Sequence, residues 1–179
     1  MKKTLSLLVV AIIALTSSIN ANAWTDRNTF GLKGPVENVY DDINGNLYFE
    51  EDGTYIPQEE DFGEEQVIYN NSNKIESITI PPAECTDYKY NNKGQVTKTN
   101  LLCGNSDLTV TKYTYNTKGY IIKQIEQSGW STTSGFKVKS TITTTYTYQK
   151  FDKYGNWIKR TAKTKYRTEI ETRTITYYE

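Results

Sequence analysis

An aromatic side chain followed four residues later by glycine recurs along this chain, and most copies lie between stretches that alternate like β-strands. The copies are Phe49-Glu50-Glu51-Asp52-Gly53, Tyr90-Asn91-Asn92-Lys93-Gly94, Tyr115-Asn116-Thr117-Lys118-Gly119 and Phe151-Asp152-Lys153-Tyr154-Gly155. Tyr69-Asn70-Asn71-Ser72-Asn73 has asparagine in the glycine place, and Tyr40-Asp41-Asp42-Ile43-Asn44-Gly45 carries one extra residue. Glycine and asparagine enter the left-handed backbone region at least cost. A type I turn followed by a left-handed residue closes a hairpin. The pattern predicts turns at Asn44-Gly45, Asp52-Gly53, Lys93-Gly94, Lys118-Gly119 and Tyr154-Gly155, hence an all-β antiparallel meander of hairpins.

The flanks agree. Thr109 to Tyr115 and Lys137 to Tyr148 alternate and are rich in β-formers. From Tyr166 to Tyr178, Thr168, Ile170, Thr172, Thr174 and Thr176 fall on one face, with Arg167, Glu169, Glu171, Arg173, Ile175 and Tyr177 on the other. No stretch after the first 23 residues has helical periodicity. Two segments read as irregular: Thr54 to Glu65, which holds Pro57, and Ser128-Gly129-Trp130-Ser131-Thr132-Thr133-Ser134-Gly135, a loop inserted in one repeat.

The amino end reads as a bacterial export signal. Lys2 and Lys3 precede a nearly unbroken apolar run from Leu5 to Leu15, and Ala21-Asn22-Ala23 gives the small-x-small cleavage pattern. Residues 1–23 are thus expected to be a signal peptide and 24–179 a single domain, periplasmic or secreted, with Trp24 at the mature amino end and no membrane span after cleavage. Without the two leading lysines, 19 basic and 21 acidic side chains remain. That balance excludes a general nucleic-acid or membrane-surface binder. The charge is nevertheless segregated. Residues 34–73 hold 11 carboxylates and no basic residue, whereas 74–179 hold 17 basic and 9 acidic residues. The acidic third either folds against the basic remainder or offers a face to a cation or a basic partner.

Histidine is absent, which removes the usual general base, nucleophile activator and commonest metal ligand. Two cysteines cannot make a four-ligand zinc site, and no cofactor is expected. Asp41-Asp42-Ile43-Asn44-Gly45-Asn46 has the flavour of a calcium loop but misses its register, and the turn reading accounts for these residues. Paired carboxylates within 37–65 leave a weaker hydrolase reading.

Tyr-x-Tyr followed by asparagine or glutamine, a glycine turn and an apolar return strand resembles the YD repeats of Rhs-type bacterial proteins. Phe151-Asp152-Lys153-Tyr154-Gly155-Asn156-Trp157 is the nearest local match, and Phe30-Gly31-Leu32-Lys33-Gly34-Pro35-Val36 is similar to the opening of small exported proteins with such repeats. The resemblance spans about residues 30–178. It implies hairpins wound into a curved sheet or a barrel-like domain, carbohydrate binding in general terms, and no catalytic residue.

Cys85 and Cys103 are the only thiols, and an even count in an exported chain predicts a disulfide. Pairing Tyr90 with Gln95 places Cys85 opposite Asn100, three residues short of Cys103, so a bulge or loop would have to absorb the difference. Trp130, in the inserted loop, is the first expected ligand-stacking residue. Tyr120 and Trp157, beside hairpin turns, are the second, with core filler the alternative for Trp157. The expectation is a non-enzymatic binding or scaffold protein for an envelope glycan or protein, or an inhibitor- or immunity-type module acting through its segregated charge.

Overall fold

The computed structural model describes residues 24–41, 45–60, 63–82, 84–104 and 106–179. The expected signal peptide and Asn44 lie outside them. One helical turn, α1 (Asp26–Thr29), precedes the strands β1 (Val36–Asp41), β2 (Gly45–Phe49), β3 (Tyr55–Ile56), β4 (Glu59–Glu60), β5 (Gly63–Glu64), β6 (Gln66–Tyr69) and β7 (Ile75–Ile80). They continue as β8 (Glu84–Tyr90), β9 (Val96–Cys103), β10 (Asp107–Tyr115), β11 (Ile121–Thr132), β12 (Gly135–Phe151), β13 (Trp157–Lys163) and β14 (Thr168–Tyr177). Twelve form one antiparallel sheet in the order β3-β2-β1-β14-β13-β12-β11-β10-β9-β8-β7-β6, while β4 and β5 pair separately. The all-β hairpin meander is therefore what this sequence builds. The sheet does not close, because among the described residues no ladder joins β3 to β6.

The repeat works through its first turn residue. Asn91 accepts the N–H groups of Lys93 and Gln95 on Oδ1, at 2.9 and 3.0 Å. Asn116 does the same for Lys118 and Tyr120, and Asp152 for Tyr154 and Asn156. A side-chain oxygen thus satisfies two turn amides that no strand can reach. Gly53, Gly94, Gly119 and Gly155 are left-handed, as is Asn73 in its glycine place (φ 53°). Because the strands are antiparallel neighbours, the turns after β2, β6, β8, β10 and β12 all lie at one end of the sheet.

At that end the strands splay, and tyrosines repair the ladder. The β7–β8 register starts at Ser77, so the Ile75 carbonyl has no partner across from it. The Tyr90 hydroxyl donates to it at 2.6 Å. Tyr115 donates to Val96 at 2.6 Å, and Tyr148 to Ile121 at 2.7 Å, where the next registers also fall short. In each case the second tyrosine of the motif reaches back to the first residue of the preceding return strand. A carbonyl left unpaired there would cost about 1–3 kcal/mol, so these three positions call for tyrosine and not phenylalanine.

The registers place Val39, Phe49, Ile78, Tyr88, Tyr113, Tyr146 and Ile175 on one face. The buried cluster of Leu32, Val36, Val39, Phe49, Tyr55, Ile75 and Ile78 draws on strands from both ends of the sheet order. The sheet is therefore curled with this face inward. Burial pushes the Tyr146 phenol up to about 12.

Residues 24–35 run across the turn end. The Asn156 side chain accepts the Lys33 N–H and donates to the Lys33 carbonyl, at 2.7 and 2.8 Å, much as a strand would. Arg27, buried, donates to the carbonyls of Val36, Glu50 and Glu51. Trp24 is not a loose end: its ring packs edge-on against Tyr90 (5.8 Å) with the Lys74 ammonium 4.6 Å away. The expected inserted loop is also corrected. Residues 128–132 belong to β11 and 135–139 to β12, because Thr133-Ser134 alone makes the turn and the residues on either side pair across it, Thr132 with Gly135 and Ser131 with Phe136.

Gly94 and Gly119 occupy equivalent turns but different surroundings. A Cβ on Gly94 would meet the Trp24 ring at 2.3 Å, whereas one on Gly119 would meet only the Gln95 amide at 3.3 Å. Gly119→Ala is expected to cost roughly 1–2 kcal/mol from its left-handed backbone alone. Gly94→Ala is expected to cost clearly more, and the excess should vanish in a Trp24→Ala background. Denaturant unfolding of the four variants measures this; equal costs in both backgrounds would mean Trp24 does not seat on that turn.

Candidate functional site

The inward face is occupied by its own aromatics. The opposite face carries a groove of about 510 Å³ across five strands, within the usual size of ligand sites. Strand alternation and register build it as cross-strand rows. Cys85, Leu102 and Leu108 face one another across β8, β9 and β10 and continue to Gly129 and Val138 on β11 and β12. The next row is Asp87, Asn100, Val110 and Gln127. The third is Lys89, Lys98 and Lys112. Rows lie about 6.6 Å apart along the strands, and strands about 4.8 Å apart.

A bulge between Ser128 and Gly129 shapes the far wall. A Cβ on Gly129 would fall 1.9 Å from the Lys137 carbonyl oxygen, so only glycine allows this approach. Beyond it, Ser131 and Phe136 pair across the hairpin and line the groove. The result is an apolar floor of leucine, valine and phenylalanine edged by amides, two lysines and one carboxylate. Among the described residues no cluster of three or more acidic or thiol side chains could hold a metal ion.

The three aromatics singled out from the sequence do not share one site. Trp157 is 6% exposed and lies in the core, with the guanidiniums of Arg160 and Arg173 at 4.0 and 3.8 Å from its ring centre. Arg160 is paired with Glu171. Tyr120 stacks obliquely on Tyr148 (5.2 Å) and Phe151 (4.8 Å), and its hydroxyl donates to Gly155 at 2.9 Å. Trp130 stays 43% exposed, opposite Asp107 and Lys137, but points to the face away from the groove. It lies about 33 Å along β11 from Tyr120.

The expected disulfide is corrected. Both cysteines are free. The one irregularity in this pairing lies between Lys89 and Tyr90, and it moves the register by too little, setting Cys85 opposite Leu102 and Cys103 opposite Glu84. Residues one step apart on a strand point to opposite faces, so the two thiols cannot meet. The Cys85 thiol sits in the groove, with Thr79 Oγ1 at 3.6 Å and Asp87 Oδ1 at 3.9 Å. On the other face, burial, with Glu84 and Asp107 adding to it, pushes the Cys103 thiol up.

Sequence reasoning missed the groove because its rows depend on bulges. Alternation alone puts Asn100 and Leu102 on one face, but which β8 residues meet them turns on the Tyr90 irregularity. Compared with known proteins, the chain matches no protein-family model and no curated sequence.

Protein purified without reductant and then unfolded is expected to take up two equivalents of iodoacetamide, and reductant should leave its melting temperature unchanged. Uptake of none would show that the cysteines are bonded and that the β8–β9 register is different.

Proposed function

We propose that the protein is an exported, non-catalytic binding protein that holds a glycan of the cell envelope in the groove across β8–β12. The groove itself carries the reading: an apolar floor suits the C–H faces of a sugar ring, and Asn100, Gln127 and Asp87 offer the in-plane donors and acceptors that hydroxyls need. The YD-repeat resemblance points the same way. A hydrolase reading has less support, since glycoside cleavage needs two facing carboxylates and Asp87 is the only one lining this groove among the described residues. The sequence has no histidine to activate the Cys85 thiol.

A second binding surface has its own observation. Trp130 is an exposed indole at the sheet end remote from the turn cap, free to stack on a sugar or a protein. The two are separable by mutation. On an array of envelope oligosaccharides, Phe136→Ala is expected to weaken binding about fivefold or more, as for loss of one ring contact worth ~1 kcal/mol. Trp130→Ala should bind as the unaltered protein does. The reverse pattern would move the site to Trp130. Absence of binding to every glycan, with capture of one envelope protein through the basic strands, would favour the interaction-module reading.

A further inference from the structure

We propose that the ligand of the groove is an acidic polysaccharide, lying across the strands with its anionic groups over a strip of lysines; this rests on the glycan reading above. Lys89, Lys98 and Lys112 are direct cross-strand partners on three adjacent strands. Lys98 and Lys112 line the groove. Like charges set directly opposite on a sheet face repel and destabilise it. Sheets commonly relieve this with an intervening carboxylate, yet none of the three is in an ion pair among the described residues. The Asp87 carboxylate sits in the neighbouring row, opposite Asn100. A row that costs stability and has no internal partner is one that an external anion completes.

The strip extends beyond one charge. In the next row, Lys123 faces Thr145, which faces Lys163 on β13. Five lysines therefore span β8 to β13, about 24 Å across the strands, which fits several residues of a polymer and exceeds a lone phosphate or sulfate. Lysine binds carboxylate or sulfate as a point charge without demanding the geometry of arginine. Between the lysines lie Ile125, Thr143 and Thr145 rather than aromatic rings. Single-stranded nucleic acid would need rings there to stack its bases, so an acidic sugar polymer fits better than a polynucleotide.

The test uses the mature chain and three probes: trigalacturonic acid, neutral chitotriose and a short oligothymidylate, followed by titration calorimetry and amide shifts of β8–β10. Trigalacturonic acid is expected to bind at least tenfold more tightly than chitotriose and to weaken as salt rises. Lys98→Gln should abolish that preference while melting no lower than the unaltered protein, because it removes repulsion. Equal affinity for the acidic and neutral sugars, unchanged by Lys98→Gln, would overturn the acidic assignment and leave the glycan reading standing. Tighter binding of the oligothymidylate would overturn it in favour of a polynucleotide. No shift of any groove amide with either sugar would overturn both.

Discussion

The carboxylate of Asp26 holds the curled sheet together where strand pairing does not. It is 5% exposed, and its Oδ2 accepts the Tyr55 backbone N–H at 2.9 Å and the Tyr69 hydroxyl at 2.8 Å. Tyr55 belongs to one edge strand of the twelve-stranded sheet and Tyr69 to the other. A single oxygen therefore bridges edges that share no ladder. Glu65 adds a second strap, accepting from the Tyr55 hydroxyl at 2.6 Å and the Gln58 N–H at 3.1 Å. An edge amide without such a partner would be buried unsatisfied or would invite another chain to pair. Burial, and then the bond to Asp26, raise the Tyr69 phenol well above its ordinary range. Asp26 occupies this place because α1 and residues 30–35 are seated on the turns, with Asn156 gripping Lys33 and Arg27 gripping the β2–β3 turn.

That closure divides the molecule by task. Inward, tyrosines and aliphatic residues fill the curl, and their hydroxyls finish ladders that the twist has pulled apart. Outward, the central strands β8–β12 are free of such duties, and their rows of leucine, amide and lysine face solvent on one continuous surface. The separation explains why the buried Trp157 and the largely packed Tyr120, both near the turn cap, make poor ligand contacts despite their aromatic character. It also explains how lysines that repel one another are tolerated: the stability lies in the other face.

Much of the fold was legible from local chemistry. Asn91, Asn116 and Asp152, each three residues before a glycine, specify their turns through backbone geometry that needs no distant partner. The hairpin meander followed from these, and an open curled sheet lies within the curved or barrel-like form expected. Three features were not legible. The join of β1 to β14 brings Val39 beside Ile175, a long-range pairing with no local signature. The bulge at Tyr90 decided both the fate of the cysteines and the alignment of the lysine row. The Gly/Ser/Thr stretch around Trp130 had loop composition, yet cross-strand pairing with β10 and β12 made Ser128 to Thr132 a strand, a case of tertiary pairing overriding propensity.

Amide hydrogen exchange on Asp26→Ala tests the central claim most directly. If the Asp26 carboxylate is what binds the two edges, the Tyr55 amide and the amides of β3 and β6 should lose their protection. Those of β10 to β13, remote from the strap, should keep theirs. Protection of β3 and β6 undiminished in the variant would show that the edges are held by something else and would contradict the account.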